Sequence, residues 1–240
     1  DVIASTGYQS VPGHHAIIYD VGDYGTPGDT HVCNDNDMSE ARFLGGASDA
    51  AQNFPIPDGV AIRIKAGGHL LLQTHWINTT NHVVGGQAAF NLTVAPVSAS
   101  RAPTQQFVVY SSQFDIAAHA NGTQVVECPI QQDLSLFLWM GHMHEFGTHI
   151  KIEQVQPTTT ATVYDTDWQP DYQANAPRHL YTKDAPLVFH KGDVVRVTCQ
   201  WSNSTDADIA FPREMCVGFG MYYPATVDIN CGDGVWPTTN

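Results

Sequence analysis

The side chains best suited to chemistry in this 240-residue chain are histidines, and two of them sit at the centre of residues 139–149, WMGHMHEFGTH. On an extended strand, side chains two residues apart leave the same face. His142 and His144 can therefore present two imidazoles to one metal ion while Met143 points away. Leu134, Leu136 and Leu138 alternate before the pair, Gly141 and Gly147 bracket it, and Ile150 and Ile152 resume the alternation, which is the pattern of a strand. Imidazole is also a common hydrogen-bonding side chain, so an isolated His-x-His pair does not by itself identify a metal site.

Three other places carry residues of the same chemistry. His14 and His15 stand at the mouth of the apolar run HHAIIY. Neighbouring side chains on a regular strand point to opposite faces, so both can bind one ion only if the strand is kinked or bulged, with Gly13 as the natural place. His75, in HLLLQTHWI, shares a face with Gln73 while Trp76 packs away from it. Met215 lies in PREMC, and a thioether is a soft ligand that copper accepts and zinc rarely uses. Burial in a core is the commoner fate of a methionine.

The elements that must position these groups read as strands. In the first part of the chain they cover residues 14–19, 59–65, 69–77 and 87–95. In the second they cover 107–110, 123–128, the His-x-His segment, 161–164, 187–189, 194–201 and 216–223. A turn is expected at Val11-Pro12-Gly13. Residues 20–58, rich in Gly, Asp and Asn, read as a long irregular excursion, with a hint of helix over 38–44. The stretch APVSASRAPT, residues 95–104, has linker composition. The expectation is an all-β chain of two jelly-roll-like β-sandwich domains, residues 1–98 and 105–240.

With 24 acidic against 10 basic residues the formal charge is -14. That balance argues against nucleic acid or an anionic membrane as a partner, because phosphate contact depends on lysine and arginine. No apolar run approaches the roughly 18 residues of a membrane span. Cys33, Cys128, Cys199, Cys216 and Cys231 show no CxxC spacing, which favours disulfides over a zinc knuckle. Asn78, Asn91, Asn121 and Asn203 each open an N-x-T/S glycosylation pattern. Together these features fit a secreted, extracellular or periplasmic protein that begins at Asp1 after trimming.

Taken together, HHAIIY, LLQTHW, GHMHEFG and REMCVGFGMYYP resemble, in order and spacing, the copper type II, ascorbate-dependent monooxygenases. That family includes peptidylglycine α-hydroxylating monooxygenase and dopamine β-monooxygenase. The resemblance implies two coppers in domains that face each other across a cleft. One would be held by His14, His15 and His75, the other by the catalytic set His142, His144 and Met215. It also implies dioxygen and ascorbate, or another one-electron reductant, as co-substrates, and a small organic substrate whose C–H becomes C–OH. Three imidazoles suit a copper that only passes an electron, whereas two imidazoles with a thioether favour Cu(I).

The resemblance further implies disulfides Cys128–Cys231 and Cys199–Cys216, and leaves Cys33 over. In the family that cysteine pairs upstream of the double histidine, so the first domain is expected to lack its N-terminal strands. Peptide-amidating members hold the substrate carboxylate with an arginine, an asparagine and a tyrosine. The matching positions here are Met140, Val217 and Phe219, which with Met221 form an expected substrate lining that has no carboxylate clamp. Two other classes use the same residues. One is a non-catalytic secreted copper-binding protein. The other is a zinc hydrolase, for which there is no HExxH and only Glu145 beside the His-x-His pair.

Overall fold

Strand-forming sequence dominates, and the computed structural model is built almost entirely of β-strands. It describes residues 1–11, 13–34, 37 and 41–237. The chain divides into two compact units, Asp1–Thr104 and Gln105–Asn240. No helix among the described residues is long and apolar enough to cross a membrane.

Unit 1 contains β1 (Val2–Gln9), β2 (Gly13–Asp20), β3 (Arg42–Ala47), β4 (Gln52–Phe54), β5 (Val60–Ile62), β6 (Leu70–Trp76) and β7 (Ala88–Val94). Strand β1 pairs antiparallel with β4, β5 and β7, and a second sheet runs in the order β3-β2-β6. The two sheets approach closely. A Cβ on Gly45 of β3 would lie 2.3 Å from Ser5 Oγ of β1, and one on Gly7 would lie 2.6 Å from Ala47 Cβ. Tyr19, Val21 and Ala41 form a small core with Ile17, Phe43 and Leu71 against it.

Strand β8 (Ala102–Ser111) begins in unit 1, where Ala102, Pro103 and Thr104 run parallel to β5. Unit 2 continues with β9 (Asp115–Ile116), β10 (Asn121–Pro129), β11 (Leu134–His142), β12 (Gly147–Val155) and β13 (Thr160–Asp167). After a short 3-10 turn at Pro170–Gln173 come β14 (His179–Leu180), β15 (Leu187–Phe189), β16 (Val194–Ser202), β17 (Ile209–Ala210), β18 (Cys216–Tyr223) and β19 (Ile229–Gly232). One sheet has the order β10-β16-β12-β13. The other places β18 between β11 and β8, with β19 parallel to β8. Apolar side chains from both sheets, among them Trp139, Phe107, Ile150, Ile152, Val197 and Trp201, fill one core. Disulfides Cys128–Cys231 and Cys199–Cys216 cross that core from sheet to sheet, and Cys33 is free and exposed.

Several expectations need correction. Pro12 of the expected turn and Met38, the start of the expected helical piece, fall outside the described residues. Arg42, Phe43 and Leu44 are strand, not helix, and β3 and β4 lie inside the supposed irregular excursion. The end of the stretch read as linker is strand, and Arg101 before it donates to Asp1, as does Arg63. Register also shifts between Leu136 and Leu138, so Trp139, not Leu138, joins Leu134 and Leu136 in the unit 2 core.

Asn203 is 2% exposed and so cannot serve as a glycosylation acceptor in the folded chain. Its amide donates to the carbonyls of Ile116, Ala117 and Ala207, and its Oδ1 accepts from Thr205 N–H and Oγ–H. Replacing Asn203 by alanine strands those buried groups and is expected to lower the unfolding free energy by about 1–3 kcal/mol. Urea denaturation of the two proteins measures the difference, and equal midpoints would refute it.

Candidate metal centres

The first histidine set is made by a local irregularity. Strand β2 pairs with β6 so that Gly13 faces Trp76 and His15 faces His75, two steps on one strand against one on the other. The extra residue is His14, and a bulge of this kind turns two consecutive side chains towards the same side. The rings of His14, His15 and His75 form a nearly equilateral triangle, with centroid separations of 5.1, 4.9 and 5.0 Å. Their ligand nitrogens lie within 4.8 Å of one another. His14 Nδ1 and His15 Nδ1 are 3.0 Å apart, a spacing that suits two nitrogens sharing an ion at about 2 Å. The half-buried Gln73, on the same face, accepts from the Tyr19 hydroxyl at 3.1 Å.

The second set forms at the end of β11. His142 is the last residue of that strand, and His144 lies in the turn that carries the chain to β12 in the opposite sheet. The expectation that one strand carries both histidines therefore holds only for His142. Their ring centroids are 5.2 Å apart and perpendicular, while Met143 points into the core and is fully buried. Two glycines make room for this turn. A Cβ on Gly141 would lie 2.7 Å from Ile150 Cδ1, and one on Gly147 would lie 2.6 Å from Trp168 Cδ1.

Hydrogen bonds fix the orientation of the turn. A carbonyl can only accept, so the 3.0 Å contact between His144 Nδ1 and Arg213 O makes Nδ1 the protonated nitrogen and leaves the Nε2 lone pair available to a metal. The Trp168 indole donates to His144 O at 2.9 Å. Met215 directly precedes Cys216, the first residue of β18, and Val217 pairs with His142. The thioether thus belongs to the same end of the β11/β18 pair as the two imidazoles. Two imidazoles with a thioether form a donor set that fits copper better than zinc.

Glu214 was not singled out in the sequence, although it stands next to Met215. It is fully buried and accepts from His144 N, Phe146 N, Met215 N and the Trp201 indole. A carboxylate so placed reads from sequence as a surface charge, and only the fold reveals the donors around it. Glu145, the one acid noted beside the pair, is engaged by Arg213.

The expected lining residues fall on the face of β11/β18 that turns away from the sandwich core. Met140 pairs with Phe219 and His142 with Val217. On β8 the same rows continue to Val108 and Tyr110, which sequence reading had not included. Met140, Val217 and Phe219 are half-buried, whereas Met221, on the same face opposite Leu138, is 1% exposed. These rows contain no arginine or lysine.

Residues 100–239 match the family model described as copper type II ascorbate-dependent monooxygenase, C-terminal domain. No curated protein matches the chain at a significant level. Among solved structures, the infectious bursal disease virus Gx strain is similar at 9% identity and a TM-score of 0.25, over 92% of this chain and 55% of that one. Latent dimeric PorU from Porphyromonas gingivalis is similar at 9% identity and a TM-score of 0.21, over 92% and 24%. The chain thus spans about half the length of the first of these, and scores this low carry no weight for fold or function.

Proposed function

Because this chain belongs to the copper type II, ascorbate-dependent monooxygenase family, we propose that it is a secreted dicopper enzyme that hydroxylates a substrate C–H bond. The observation that supports this most is the pair of donor sets, three imidazoles in unit 1 and two imidazoles with a thioether in unit 2. Copper supplies one-electron transfer and dioxygen activation when bound. His14, His15 and His75 would hold one ion, and an all-imidazole set suits electron relay. His142, His144 and Met215 would hold the other, with the thioether favouring the reduced state. The balance is one substrate C–H, one dioxygen, two electrons from ascorbate and two protons, giving C–OH and water. Two disulfides fit an oxidising compartment, secreted or periplasmic.

Oxygen uptake in the presence of ascorbate tests this reading. One hydroxylated product should form per dioxygen consumed above the ascorbate background. Copper binding without coupled product would support a non-catalytic copper protein instead.

The lining narrows the substrate. Met140, Val217, Phe219, Val108 and Tyr110 offer apolar contact and one hydroxyl, and burying an unpaired carboxylate there would be unfavourable. A neutral or cationic substrate with an aromatic or aliphatic body is expected to be hydroxylated. Glycine-extended peptides are not expected to turn over appreciably. Competition assays with both classes decide this, and efficient amidation that Met140→Arg does not improve would show the lining reading to be wrong.

A further inference from the structure

We propose that Glu214 is the positioning residue of the His142, His144 and Met215 set. Its carboxylate fixes the separation between the turn that carries His144 and the segment, just before β18, that carries Met215. This rests on reading those three residues as ligands, and the experiment below separates the two ideas.

A buried carboxylate is tolerated only where hydrogen bonds or cations compensate its lost hydration. Glu214 is fully buried, and the ion pairs among the described residues do not include it. Four N–H donors stabilise it instead. Phe146 N donates to Oε1 at 2.8 Å. Oε2 receives the Trp201 indole at 2.8 Å, His144 N at 3.1 Å and Met215 N at 3.2 Å. Two donors thus belong to the backbone of ligand-bearing residues that are distant in sequence. A third comes from the same turn as His144, and the fourth from β16 in the opposite sheet. A single acceptor atom ties the main chain of His144 to the main chain of Met215.

The adjoining residue completes the arrangement. Arg213 O accepts from His144 Nδ1, so residues 213 and 214 hold the ring and the backbone of His144 together. Outer groups that orient metal ligands in this way are commonly worth 10–100-fold in metal affinity. The uneven division of donors predicts a graded response. A glutamine can keep its carbonyl on the three donors at Oε2, but must then turn an NH2 towards Phe146 N–H. An alanine serves none of the four.

The test uses the full chain with Cys33→Ser throughout, because the exposed Cys33 thiol would itself bind Cu(I). Cu(I) affinity is measured by competition with a chromophoric chelator, and sulfur ligation by X-ray absorption at the copper edge. Met215→Leu serves as the reference for loss of sulfur. Glu214→Gln is expected to weaken the thioether set about 10-fold and Glu214→Ala about 100-fold. Both should diminish the sulfur signal and leave the three-histidine set unchanged. If Glu214→Ala does not fold, Glu214→Gln decides alone. Unchanged affinity and sulfur signal, whatever the melting temperature, would make Glu214 a purely structural residue and overturn the proposal. Absence of a sulfur signal that Met215→Leu removes would sink the ligand reading, and this proposal with it.

Discussion

Replacing His142 by alanine is expected to lower the copper content from two ions per chain to one and to abolish hydroxylation. His142 sits on β11 in unit 2, whereas His14, His15 and His75 lie on β2 and β6 in unit 1, with no shared ligand. Loss of one imidazole leaves the unit 2 set with His144 and Met215 alone. Even outer partners of metal ligands are worth about 10–100-fold in affinity, so removing a ligand should cost more than about 100-fold at that set. Inductively coupled plasma analysis after dialysis gives the stoichiometry, with ascorbate-coupled oxygen uptake as the second readout. Loss of both ions together would contradict two separate sets, and retention of both would remove His142 from the ligands.

The second large effect concerns the disulfides, which are expected to differ in what they protect. Cys128–Cys231 closes a separation of 103 residues and Cys199–Cys216 one of 17. In the chain-entropy view the first contributes about 4.7 kcal/mol and the second about 3 kcal/mol. Against a typical total of about 5–15 kcal/mol, either loss is a substantial fraction. The shorter one adjoins Met215, so its removal should also disturb copper binding. Paired Cys→Ala variants are therefore expected to rank one way in guanidinium unfolding and the opposite way in copper affinity at the unit 2 set. The same ranking in both measurements would show that the Cys199–Cys216 bond has no special bearing on Met215.

Much of the site was legible in the sequence because its signals are local. A doubled histidine that demands a bulge and a methionine beside a cysteine carry their geometry in their spacing, whereas the His-x-His spacing marks the two residues but not the turn that separates them from a common strand. The register shift at His14 is the irregularity that adjacent ligands require. What escaped depends on distant parts of the chain. Gly45 and Gly46 fall inside the stretch read as an irregular excursion, yet both lie within β3, where Ser5 of the facing sheet leaves no space for a side chain at Gly45. Strand β1 was missed for a related reason, since Ser5 and Gln9 are buried polar residues and Gly7 lies against Phe90 and Ala47. Asn203 reads as a glycosylation acceptor until the carbonyls of residues 116, 117 and 207 are seen around its amide. Glu214 follows the same rule, as its donors come from residues 144, 146, 201 and 215.

The inward-pointing Met143 and the two cramped glycines beside it bear on protein engineering. An insertion of GHMHEFG into a β-hairpin would carry both imidazoles but not the surroundings that aim them. Ile150 and Tyr164 press on Gly141, Trp168 presses on Gly147, and Met143 needs an apolar socket beneath the turn. A recipient scaffold lacking that socket would expose the thioether of Met143 and let the turn rotate, so the pair would bind metal in varied geometries. The smallest transplantable unit is therefore the crossing of two sheets, from β11 through β12 and β13 to Trp168, with the segment around Glu214 supplied from the neighbouring strand.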